Sequence, residues 1–134
     1  MELDREWEKF RGGPFRAIDD RLHVTLNHRG LILLNRIVYK LMDKPAAVVL
    51  YYHRKEDKIA IEPADFRLPE AYPVRSQGCN YRIQAISFCR HFGILLAATH
   101  KILFPEITDE RRLILDLRNT TLIFTNRDFK RLNA

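Results

Sequence analysis

Val24-Thr25-Leu26-Asn27-His28-Arg29-Gly30-Leu31-Ile32-Leu33-Leu34, running into Asn35-Arg36-Ile37-Val38-Tyr39-Lys40-Leu41, is the stretch on which the fold turns. Residues 22–26 and 31–34 are apolar, β-favouring runs. Between them Asn27-His28-Arg29-Gly30 supplies a turn whose glycine tolerates positive φ, so the segment reads as a tight hairpin. Asn35 is a helix cap, and Ile37, Val38, Leu41 and Met42 fall on one face of the two turns that follow, with Arg36 and Lys40 directed elsewhere. Asp43-Lys44-Pro45 ends that helix.

Working outward, residues 46–53 and 58–62 are β-branched or aromatic runs joined by the hydrophilic Arg54-Lys55-Glu56-Asp57, which predicts a second antiparallel pair. Upstream, Leu3, Trp7 and Phe10 keep helical spacing and are stopped by Gly12-Gly13-Pro14. Downstream, Pro63, Pro69, Pro73, Ser76 and Gly78 favour extended loop. Residues 81–85 then read as a strand, Ser87 as the cap of a short helix carrying Phe88, Cys89 and Phe92, and Gly93 as its close. Residues 97–104 and 111–117 are expected to pair with one another, with a final strand over 120–125.

The two parts follow one order. Setting Ile32 over Ile83 aligns Ile37 with Phe88, Val38 with Cys89 and Leu41 with Phe92. After a three-residue insertion, Lys58-Ile59-Ala60-Ile61-Glu62-Pro63 falls over Arg112-Leu113-Ile114-Leu115-Asp116-Leu117. This reads as a diverged internal repeat. The expected organisation is an N-terminal helix and lead-in over 1–21, a first half over 22–63, a linker over 64–80, a second related half over 81–125 and a basic tail over 126–134. The fold class is α+β, mostly β, in two β-hairpin/short-helix/β-hairpin halves.

The order strand-turn-strand, short helix, strand-turn-strand resembles the swapped-hairpin DNA-binding family that includes the AbrB transition-state regulators and the MraZ proteins. The residues carrying the resemblance are those from Val24 to Leu41, with Val48-Val49-Leu50-Tyr51-Tyr52 and Lys58-Ile59-Ala60-Ile61-Glu62. The chain departs from the family pattern in having Arg29 before Gly30, and Leu34-Asn35 where the family opens its helix with proline. The resemblance implies a swapped-hairpin-like barrel, a homo-oligomer built from interleaved hairpins, and binding of double-stranded DNA in transcription regulation. On that basis Arg29, Arg36 and Lys40 are the first candidate DNA contacts, with His28 and Arg21 close by.

Composition agrees with a polyanionic partner. The 134 residues carry 23 lysines and arginines against 17 acids, a formal net charge of +6. From Arg21 to Lys44 there are five basic residues and a single acid, Asp43. Neutralising phosphate with such a stretch makes binding salt-dependent, and arginine in a groove adds sequence preference. At 46% hydrophobic and 10% aromatic residues the chain can build a core, which excludes a disordered tail for most of its length. The charged N-terminus lacks a signal-peptide core and no run reaches the roughly 20 apolar residues of a membrane span, so a cytoplasmic protein with no membrane partner is expected.

Other chemistry has weak signals. Cys79 and Cys89 form neither CxxC nor a disulfide pattern, and the five histidines lack zinc-ligand spacing. A Cys89 nucleophile cannot use His91 two residues away and needs His53 or His100 brought in by the fold. The acids Asp19-Asp20 and Glu56-Asp57 read as hydrated turn residues. No phosphate-binding loop occurs, so no cofactor, metal or enzyme activity is expected. The alternative reading is a non-catalytic protein-interaction or oligomeric assembly module. A ligand-binding cleft between the halves is a third class that the linear sequence leaves open.

Overall fold

The computed structural model describes residues 6–7 and 21–123. The helix expected over 2–10 and the tail over 126–134 lie outside the described residues, apart from Glu6 and Trp7. Strands β1 (Val24–Leu26) and β2 (Leu31–Leu34) form the expected hairpin, with Val24 opposite Leu34 and Leu26 opposite Ile32. Asn27 makes the turn: its Oδ1 accepts from the backbone N–H groups of Arg29 at 2.9 Å and Leu31 at 3.0 Å. Gly30 has φ +72°, and a Cβ there would lie 2.5 Å from Ile86 Cα, so both backbone conformation and close packing require glycine.

Helix α1 (Arg36–Leu41) starts at Asn35, whose Oδ1 accepts from the Val38 N–H at 3.1 Å while its Nδ2 donates to the Arg21 carbonyl at 2.7 Å. Six residues are too few to be helical alone, so tertiary burial of Val38 and Met42 holds them. Leu41, expected on the apolar face, is instead exposed. Asp43 and Lys44 then take positive φ and end the helix.

Strands β3 (Ala47–His53) and β4 (Lys58–Ala64) pair from Ala47–Ala64 to His53–Lys58. β4 runs past its expected end through Pro63. Its far neighbour reaches only Ile61, so at residue 63 the missing proline N–H costs no ladder bond on that side. The segment read as extended loop also contributes two strands, β5 (Tyr72–Pro73) and β6 (Arg75–Gln77), joined at Val74, whose N–H donates to the Ala46 carbonyl at 2.9 Å. Prolines at 69 and 73 obscured them; both strands lie at sheet edges, where a missing donor is tolerated.

Strand β7 (Asn80–Gln84) leads into helix α2 (Ile86–Phe92). Its N-cap is Ala85 without a side-chain bond, and Ser87, expected to cap it, lies inside the helix with its Oγ 2.9 Å from the Tyr72 hydroxyl. Gly93 closes α2 with φ +69°, as expected. Strands β8 (Thr99–Ile102), β9 (Glu106–Ile107), β10 (Leu113–Asp116) and β11 (Thr120–Ile123) complete the described chain.

The strands form two antiparallel sheets, six-stranded β11-β8-β1-β2-β7-β6 and five-stranded β5-β3-β4-β10-β9. The expected pairing of 97–104 with 111–117 does not occur. β8 is taken on both edges by β1 and β11, while β10 lies between β4 and β9. The expected barrel is not closed either, because no hydrogen-bonded ladder joins the edge strands of one sheet to those of the other among the described residues. One core fills the space between the sheets, drawing on Val24, Leu26, Ile32 and Ile83 from the larger and Val48, Ile59, Ile61, Leu113 and Leu115 from the smaller.

One ladder of each sheet has a symmetric register. In β2–β7 the centre is Ile32 opposite Ile83, flanked by Leu31–Gln84 and Leu33–Arg82. In β4–β10 the centre is Ala60 opposite Ile114. Both are residue pairs that the sequence repeat aligns with one another. Leu34 with Ala85, and Val38 with Cys89, are likewise aligned and are buried in both places.

Candidate nucleic-acid interface

Alternation along the strands divides the six-stranded sheet into two faces. Val24, Leu26, Ile32, Leu34, Ile83 and Ile102 enter the core. On the opposite face one row runs in register across all six strands: Arg75, Arg82, Leu33, Thr25, Lys101 and Thr121. At about 4.8 Å per strand, Arg75 and Lys101 are roughly 19 Å apart. His23 shares this parity; partial burial, with the neighbouring Lys101 ammonium, lowers its pKa from the usual imidazole value.

The charges of the molecule are segregated by layer. No aspartate or glutamate occurs between Asp20 and Asp43 or between Glu70 and Glu106, and these runs contain α1, α2 and every strand of the six-stranded sheet except the acid-free β11. The basic residues there are Arg21, Arg29, Arg36, Lys40, Arg75, Arg82, Arg90 and Lys101. None of their side chains takes part in an ion pair or hydrogen bond among the described residues. By contrast, four ion pairs among the described residues lie in the five-stranded sheet and its connections: Lys58–Glu56, Arg67–Asp65, Arg112–Glu62 and Arg118–Asp116. The Arg118 and Arg67 guanidiniums, bonded to Asp116 and Asp65, hold those carboxyls below the ordinary range.

The candidate contacts named from the sequence fall into two groups. His28 and Arg29 are exposed on the β1–β2 turn. Arg36 and Lys40 are exposed on α1 at the other end of β2, about 13 Å of strand away, with Arg21 tied to the same end through Asn35. All five belong to the acid-free layer, but none is a strand residue of its outer face. Sequence reasoning did not select Arg75, Arg82 and Lys101 for that face. The readable signal was the acid-free run between Glu70 and Glu106; the register that aligns the three was not.

Nucleophilic chemistry finds no support at Cys89. The side chain is buried in the core, and burial pushes its thiol above the ordinary value, which disfavours the thiolate. Of the histidines proposed to serve it, His53 accepts from the Glu56 N–H at 3.1 Å and His100 lies 2.9 Å from the Thr120 hydroxyl. Cys79 is exposed in the β6–β7 turn. Among the described residues no helix is long and apolar enough to cross a membrane.

No family model, no curated protein and no solved structure matches this chain. What the geometry defines is a mostly β protein of two antiparallel sheets, one bearing cations with no ion pair among the described residues and the other internally paired charge.

Proposed function

We propose that this protein binds double-stranded DNA, as a cytoplasmic transcription regulator of the swapped-hairpin type acting as a homo-oligomer without a cofactor. The observation that carries the reading is the segregation of charge: the six-stranded layer, α1 and α2 offer arginine and lysine with no carboxylate partner among the described residues. Cations left unpaired on one layer make a positive field that a polyanion neutralises, and phosphate oxygens accept the hydrogen bonds that those side chains do not make internally. Arg29, Arg36 and Lys40, with His28 and Arg21, are the proposed contacts. The symmetric β2–β7 and β4–β10 registers support two related halves, as in the MraZ-like arrangement.

Fluorescence anisotropy of the purified protein with random duplex DNA across a salt series tests the reading. The expected result is an affinity whose logarithm falls linearly with the logarithm of salt concentration. Absence of binding at low salt by folded protein removes it and turns attention to the second reading, a protein-interaction module. That reading draws on a groove of about 730 Å³ between Leu22, Leu41, Pro105 and Ile107, beside which Phe104 stands 79% exposed.

A further inference from the structure

Arg75 and Arg82 are direct partners across the β6–β7 hairpin, both exposed, on the face that points away from the core. Like charges placed opposite one another in an antiparallel pair repel, and such pairs are ordinarily relieved by a nearby carboxylate. Among the described residues none bonds to this pair. Neither guanidinium has an ion pair or hydrogen bond among the described residues, in contrast to Arg67, Arg112 and Arg118 of the other layer. Gln84 lies two residues beyond Arg82 on the same face of β7. Together with Pro73 these side chains line a hollow of about 220 Å³.

The hollow is rich in donors. Two planar guanidiniums bring five N–H groups each and the Gln84 amide adds two, against one side-chain acceptor, the Gln84 carbonyl. Such a set matches a tetrahedral oxyanion and repels cations. We infer that Arg75, Arg82 and Gln84 form a clamp for one phosphate group. This rests on the DNA reading for its source: the phosphate is one of the duplex backbone, gripped at the β6 edge of the sheet, away from the β1–β2 turn and α1. Its role is to fix register on the duplex without reading sequence.

The test compares the wild type, the double variant Arg75→Thr/Arg82→Thr and, as a control in the ion-paired layer, Arg112→Thr/Arg118→Thr. Threonine suits strand positions, and thermal melts verify folding of each variant. Duplex affinity is measured across a salt series. Arginine Nε–Hε resonances are followed by NMR on adding a short duplex and, separately, inorganic pyrophosphate. The clamp predicts a loss of roughly tenfold in duplex affinity at low salt, a salt slope shallower by about one, and shifts at Arg75 and Arg82 with both probes. The control binds like wild type.

Tight duplex binding by the Arg75→Thr/Arg82→Thr protein with an unchanged slope overturns the clamp and leaves the DNA reading standing. Shifts at these two arginines with pyrophosphate, but no duplex binding by wild type, keep the clamp as a site for a smaller phosphate compound and remove the DNA reading. Silence at these two arginines with both probes removes the clamp, and with it the DNA reading where wild type also fails to bind the duplex in the anisotropy series.

Discussion

The two sheets share one core but handle charge in opposite ways. The five-stranded sheet and its loops interleave acids and bases so closely that Asp116 binds Arg118 two residues on and Glu62 reaches Arg112 across the ladder. The six-stranded sheet, α1 and α2 contain no acid and leave their cations without partners among the described residues. Exposed ion pairs contribute little to stability, with a median near 0–1 kcal/mol, so the paired layer gains little from its arrangement. The unpaired layer bears a small repulsive cost that nothing within the described residues offsets. The contrast is that one layer pairs its charges internally and the other, among the described residues, does not.

The largest effect is expected where the six-stranded layer is physically assembled. Gly30→Val places a branched side chain at φ +72° and against the backbone of Ile86, at a cost of about 3 kcal/mol or more, visible as a collapse of the urea midpoint. Gly78, also at positive φ but with no atom within 4 Å of a Cβ, is the comparison: Gly78→Ala costs only about 1 kcal/mol. Equal losses at the two glycines would mean that α2 does not press on the first hairpin as described.

Next in size is the functional contrast. Replacing Arg29, Arg36 and Lys40 by alanine is expected to lower duplex affinity about 100-fold at low salt and flatten the salt slope by as much as about 3, read by anisotropy. The same exchange at Arg67, Arg112 and Arg118 leaves affinity within about threefold, since those cations are already neutralised. If both triple variants lose affinity alike, binding follows net charge and the division between layers carries no function.

The layers also differ in their response to acid. His23 has a lowered pKa in the fold, first through burial and then through Lys101, so the unfolded chain takes up its proton more readily. Stability therefore falls as pH drops through about 6.5 towards the lowered folded value. Asp65 and Asp116 have lowered values as well, but as acids they add stability above the ordinary carboxylate range that is lost as pH falls through their folded values. Chemical denaturation between pH 8 and pH 2 on wild type and His23→Gln should show the higher-pH loss vanish in the variant and the lower one persist. These pH values are chosen to bracket the ordinary pKa values of about 6.5 and 3.8.

The smallest effects carry opposite signs. Arg82→Thr relieves the repulsion with Arg75 and should raise stability by about 0.2–1 kcal/mol. Arg112→Thr breaks the exposed pair with Glu62 and should lower it by less than about 1 kcal/mol. Paired calorimetric melts resolve the signs; a destabilising Arg82→Thr would show that the guanidinium is held by a favourable contact.

Local chemistry was legible residue by residue. Asn27 in the turn, Asn35 at the start of α1 and Gly93 at the end of α2 each act through neighbours within a few positions, and each stands as read. The strands of 72–77 were hidden because proline signals a break on average, whereas an edge strand has a free side on which a missing N–H is harmless. The pairing of 97–104 with 111–117 failed for a different reason. Proximity in sequence favours a hairpin, yet β1 and β11 together take both edges of β8. As to the candidate site, the basic hairpin and helix were readable as composition, while the row Arg75–Arg82–Lys101 was not, since it exists only through four ladders.

By itself, then, the sequence determined the first hairpin, the Asn35 cap of α1, the Gly93 close of α2, the burial alternation and the internal alignment that recurs as the registers centred on Ile32–Ile83 and Ala60–Ile114. These depend on interactions within a turn or a strand, and on a pattern of apolar residues that any packing must satisfy. Tertiary structure decided which strands become neighbours, the opening of the barrel into two sheets, and the gathering of unpaired cations onto one layer. Those outcomes depend on contacts between residues far apart in the chain, where competing pairings of similar local quality are separated only by how well the whole core fills.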